Sequence, residues 1–275
     1  MQTINNWLHS VAGVVVIVMI GLSILLVFGA YSDFGVDCLS IDKANIIDNI
    51  LVGLATNFIG IAVTVAFVQH LFEKEEDARK RKVEIITIKN YNKYMNTLIR
   101  KFLMYYTSVT TRIQNRNTDE LDNVFNRSVR FSDLADMYAP SMFLSEGFLE
   151  PSIVLFYNAE ENLREYMLKM LENIEFKHNT GLEEILLEFV TKSVDLNMRG
   201  NILGAMNTKT GKNMKMSEFV SKLIADESND WLGKFKRGEL KGNLMMPYVM
   251  FFFTIQDQTR MIKLYMDYIA KLDGE

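Results

Sequence analysis

Cysteine is almost missing from this 275-residue chain: Cys38 stands alone, so no disulfide can close within it. Histidine is nearly as scarce, and His9, His70 and His178 are too scattered for the ligand spacing of a zinc or iron site. We expect neither a metal nor any other cofactor. An excess of positive charge is also lacking: 30 Lys and Arg face 34 Asp and Glu, for a net charge of −4. Nucleic-acid binding over a large surface needs a basic field, and none is expected here.

Catalytic signatures are missing as well. There is no nucleophile elbow, no HExxH helix, no dinucleotide fingerprint and no histidine beside a serine or cysteine nucleophile. The segment NTKTGKN, residues 207–213, has part of a phosphate loop. However, Gly204 lies too far upstream of Gly211, Asn213 stands where a hydroxyl residue belongs, and no strand precedes it. The pairs Glu160/Glu161 and Glu183/Glu184 are adjacent on expected helices, so their side chains diverge by about 100° and are expected in solvent. We do not expect an enzyme.

What is present is divided sharply along the chain. Of the 30 Lys and Arg residues only Lys43 lies within residues 1–72. Residues 7–31, WLHSVAGVVVIVMIGLSILLVFGAY, carry no formal charge and exceed the roughly 20 residues a helix needs to span the hydrocarbon core. A cleaved signal peptide fits less well: no Lys or Arg precedes the run, the run is too long, and Phe28 stands where a small residue should precede Ala30. Residues 50–72 form a second span, polar in its depth only at Asn57. Residues 31–45, YSDFGVDCLSIDKAN, hold three aspartates, whereas the second span is followed by Arg79, Lys80, Arg81 and Lys82. The positive-inside rule then places both termini and residues 73–275 in the cytosol and the acidic loop outside.

The second span has two smooth faces. At about 100° per residue, Gly53, Asn57, Gly60 and Thr64 fall within about 60° of one another, and Ala55, Ala62 and Ala66 lie opposite. Small side chains let helices approach closely. The first span can cover one face, so we expect another copy of the chain to cover the second, giving a homo-oligomer. An amide at membrane depth needs a partner or water, so Asn57 either hydrogen-bonds a neighbouring helix or lines a hydrated path.

Beyond the membrane, residues 72–115 contain neither proline nor glycine, and Ile85, Ile88, Met95, Leu98, Phe102 and Tyr106 recur at helical spacing, which predicts one long helix leaving the bilayer. A polar loop is expected over 115–126 and a short helical piece over 131–138. Pro151 suits the first position of a helix to about Lys177. Thr180 and Glu183 have capping-box spacing for the next, ending at Arg199-Gly200. A loop is expected over 201–215, short helices over 217–226 and 230–236, and a long one over 247–272. Within the last, LMMPYVMFFFTI is too short to span and reads as core, while its methionines, with Met261 and Met266, could serve an adaptable contact. Lys209, Lys212 and Lys215 could meet an anionic ligand, although charged loops are ordinarily just solvated. The fold class is all-α: a two-helix transmembrane hairpin over 1–72, then a long helix and an irregular cytosolic bundle over 73–275.

Residues 57–82, NFIGIAVTVAFVQHLFEKEEDARKRK, join a GIxxTV-type membrane helix directly to a charged cytosolic one. Over residues 7–82 this architecture resembles the two-transmembrane effectors carried by bacterial anti-phage systems such as retron, cyclic-oligonucleotide and CRISPR-linked defence. The resemblance implies a protein of the inner membrane, held silent until a cytosolic protein or nucleotide trigger arrives, which then permeabilises or depolarises the bilayer. The other reading of the residues is a membrane-anchored scaffold or sensor presenting a helical interaction domain. Neither needs catalytic residues.

Overall fold

The structure, a computed structural model, describes residues 11–31, 41–117, 121–143 and 149–274. It forms two compact units, residues 1–82 and 83–275. Every regular element among the described residues is helical, with two isolated β-bridges, Pro140 with Pro151 and Lys209 with Lys215.

The first unit holds α1 (Val11–Tyr31) and the start of α2 (Ile41–Val109). α2 has 69 residues and contributes to both units. Among the described residues it is the one helix long and apolar enough to cross a membrane, while the apolar stretch 13–28 of α1 is shorter. The start of the expected first span, residues 7–10, lies outside the described residues. The second helix begins at Ile41, earlier than its apolar run suggests, because no glycine or proline interrupts the chain from there to Gly53.

The second unit contains the remainder of α2, then α3 (Ser152–Asn173), α4 (Thr180–Asp195), α5 (Arg199–Asn207), α6 (Met216–Ala225), α7 (Trp231–Lys236) and α8 (Met246–Asp273). Short 3-10 turns occupy Ile113–Asn115 and Phe131–Asp136. Ile88, Met95, Ile99, Phe102, Tyr106 and Val109 of α2 are all buried and recur at steps of three, four and seven, so a single stripe of the helix faces the core. Phe102 meets Phe156 of α3 and Phe189 of α4 at centroid distances of 5.1 and 6.1 Å. The run expected to be core is core: Met245, Tyr248, Val249, Phe251, Phe252 and Ile255 are buried, although Leu244 is exposed. Burial of such side chains contributes roughly 1.5–3 kcal/mol each and holds the bundle together.

Several helix boundaries differ from the sequence expectation. Pro151 is the N-cap of α3 rather than its first residue, and α3 ends at Asn173. Asn179, not Thr180, precedes α4, and its side chain makes no cap hydrogen bond because Glu84 and Tyr268 engage it. Arg199 and Gly200 open α5 instead of ending α4: the Asn197 Oδ1 accepts from the Arg199 amide at 2.9 Å, which restarts the helix and converts much of the expected loop 201–215 into α5.

Candidate functional site

Within the first unit the two smooth faces of α2 have different fates. Ala55 and Ala62 are 1% and 2% exposed, and Val16 and Ser23 of α1 are similarly buried. Both helices also line one apolar cleft, through Ile20, Ser23, Ile24, Val27 and Phe28 of α1 and Ile59 of α2. The alanine face is thus the one that α1 covers. Gly53, Asn57, Gly60 and Thr64 are all exposed, and a Cβ placed on Gly53 or Gly60 would meet nothing within 4 Å. The Thr64 hydroxyl donates to the Gly60 carbonyl at 2.8 Å, satisfying itself within the helix. The Asn57 amide has no hydrogen bond among the described residues, so it alone on this face needs an outside partner.

Arg79, Lys80, Arg81 and Lys82 are exposed on α2, and Lys80 pairs with Glu76 at 2.8 Å, one turn back. Lys209, Lys212 and Lys215 are exposed around a turn closed by the Thr210 amide to the Met214 carbonyl at 2.8 Å, with Asn213 at φ 62°. Asparagine is among the residues that tolerate that left-handed conformation.

The sequence reading misplaced one carboxylate. Glu183 and Glu184 are exposed as expected, but Glu160 is 5% exposed in α3. The Gln258 amide lies 2.8 Å from the Ser193 hydroxyl and 3.4 Å from the Glu160 carboxyl, joining α8 to α4 and α3. Burial raises the Glu160 pKa above its ordinary value, against the Ser193 hydrogen bond and the attraction of Arg164 and Arg199. The neighbouring Glu161 is held below the ordinary range, first by its hydrogen bond from Arg199 at 2.6 Å. Only about 10 Å³ of space adjoins the Glu160 cluster, room for little more than a water, so the geometry suits packing rather than a substrate.

A raised carboxyl pKa destabilises the folded state as pH climbs from the unfolded value through the folded one. Glu160→Gln, neutral and of the same shape, should therefore raise the thermal midpoint of the detergent-solubilised chain at pH 8, and by less at pH 5. An equal loss of stability at both pH values would contradict the assignment.

Three arginines, Arg112 in the stretch expected to be helix, Arg116 in the expected polar loop and Arg127 just past it, close the C-terminal end of α2. Arg116 donates to the carbonyls of Ser108 at 3.0 Å, Thr111 at 3.3 Å and Asp136 at 3.3 Å, and also to that of Pro140. Arg127 donates to the Thr110 carbonyl and to Thr111 Oγ1, and Arg112 pairs with Asp136 at 2.9 Å. Unpaired carbonyls at a helix C-terminus attract cations, which is the physical reason for arginine here. Among the described residues no group of three or more His, Cys, Asp or Glu could hold a metal ion. No protein-family model, curated protein or solved structure matches the chain.

Proposed function

We propose that the chain is an oligomeric membrane effector that permeabilises or depolarises the bilayer when its helical cytosolic domain is triggered. In this reading α1 and the apolar part of α2 form a transmembrane hairpin in a bacterial inner membrane. Arg79 to Lys82 keep the helical unit and both termini in the cytosol. Copies meet through the face of Gly53, Asn57, Gly60 and Thr64, and α2 carries movement from the helical unit into that face.

The observation that supports it is Asn57, an amide without a hydrogen bond, exposed between two glycines on the face of α2 opposite the buried Ala55 and Ala62. In hydrocarbon an unsatisfied amide costs several kcal/mol, so a single hairpin facing lipid would leave that cost uncompensated. A second α2 against the glycine face supplies both close packing and a polar partner. Water in a path between copies satisfies the amide equally well. The resemblance to two-transmembrane anti-phage effectors supplies the biological setting, and the mechanism requires no catalytic group.

The test is membrane potential and dye entry in cells expressing the intact chain beside Asn57→Leu and Gly60→Leu, with insertion matched and with neighbouring genes and a phage challenge supplied. Depolarisation that disappears in both variants is the expected result. A membrane that stays tight with the intact chain under challenge would leave an anchored scaffold as the function.

A further inference from the structure

In the helical unit, residues 124–129 and the side of α8 enclose a cleft of about 310 Å³ that also reaches Tyr106 of α2. That volume is at the lower end for sites that enclose a small molecule. Among the described residues lining it three are cationic, Arg127, Arg260 and Lys263, and none is a carboxylate. On α8, Gln256, Arg260 and Lys263 follow at steps of four and three, so one face of the helix presents an amide and two cations to the same space. Arg127 is positioned by its hydrogen bonds to Thr110 and Thr111 at the end of α2.

The charge on the α8 side is poorly compensated within the chain. Arg260 reaches Glu188 at 3.4 Å and Asp257 at 3.8 Å, both loose and solvent-exposed pairs, and Asp257 is already bound by Lys192 at 2.6 Å. Lys263 has no ion pair or hydrogen bond among the described residues. Cations brought together in a concave site repel one another unless an anion enters, and arginine beside lysine is the pairing that suits phosphate oxygens. Val124 and Phe125 form an apolar wall of the same cleft, which a planar, weakly polar group can cover.

We propose that this cleft binds a soluble nucleotide, with its phosphates against Arg260, Lys263 and Arg127 and its base against Phe125. The assignment belongs to the helical unit and does not depend on membrane permeabilisation. It also differs from a site at Lys209, Lys212 and Lys215, which are exposed around their turn.

The test is isothermal titration of the full chain in a non-ionic detergent with ADP and with pyrophosphate, at low and moderate salt. ADP should bind, more weakly as salt rises, and more tightly than pyrophosphate. Lys263→Glu and Arg260→Gln should each weaken ADP binding, the first at least tenfold and without moving the thermal midpoint of the ligand-free protein. The triple substitution Lys209→Ala, Lys212→Ala and Lys215→Ala should leave it unchanged. No heat with ADP, unaltered affinity in both cleft variants, loss of binding in the triple variant, or pyrophosphate binding as tight as ADP would each overturn the proposal.

Discussion

If the chain acts as the proposed membrane effector, replacing Gly60 by leucine should abolish depolarisation while leaving the chain folded and inserted, whereas Ala62→Leu, two residues along the same helix, should damage folding itself. The contrast follows from what each new side chain meets. A Cβ on Gly60 has nothing within 4 Å, and a leucine there, facing lipid in the proposed hairpin, carries no penalty within one copy of the chain. Ala62 is 2% exposed, and enlarging a closely packed position costs about 1–3 kcal/mol through forced shifts of neighbours. A functional defect in Gly60→Leu would therefore arise outside the chain, and in the proposed assembly its source is a second copy that can no longer approach. Membrane potential measured beside the amount of inserted protein separates the two effects. Full depolarisation by Gly60→Leu would remove the basis for a glycine-face interface.

The second large effect is expected at Glu84, in the stretch of α2 that belongs to the helical unit. Its buried carboxylate accepts from the His178 amide at 3.1 Å, from His178 Nδ1 at 2.9 Å and from the Asn179 side-chain amide at 2.8 Å. Tyr268 of α8 donates in turn to the Asn179 Oδ1 at 3.1 Å. This network joins α2 to the turn before α4 and to α8. Burial by itself would raise the Glu84 pKa, but the hydrogen bonds from Asn179 and His178 and the attraction of His178 outweigh it and lower the value. Glu84→Ala leaves these donors buried without an acceptor and should cost about 3 kcal/mol, roughly 6–12 °C in thermal midpoint. Because the folded pKa is depressed, the stabilisation is present above the ordinary glutamate value and is lost as pH falls through the folded one. The gap between parent and variant should accordingly be widest at neutral pH and narrow in acid. A gap that does not change with pH would assign the whole effect to packing.

Periodicity carried most of what could be read from the sequence. The stripe from Ile88 to Tyr106 and the long last helix, expected over 247–272 and found at Met246–Asp273, follow directly from apolar spacing, which depends on the segment alone. The small-residue faces of α2 were equally visible, but which of them α1 covers was not, because glycine and alanine faces look alike until a partner is placed. Glu160, Asn179 and Arg116 were out of reach for a different reason. Each is polar and therefore reads as solvent-facing, yet each is held inside by partners far along the chain: Gln258 and Ser193, Glu84 and Tyr268, and the carbonyls of Asp136 and Pro140. The cationic cleft escaped notice similarly. Arg260 and Lys263 are on the predicted helix, but Arg127 comes from a segment more than a hundred residues away, and only folding brings the three together.

A single exposed face therefore accounts for the proposed assembly, and disulfide trapping addresses it without needing the trigger. With Cys38 replaced by serine the chain is free of cysteine, so one new thiol reports one position. In native membranes under mild oxidant, Gly60→Cys should yield covalent dimers while Ala62→Cys remains monomeric, since the Ala62 face is closed by α1 within the same chain. Equal trapping at both positions, or none at Gly60→Cys, would contradict the account.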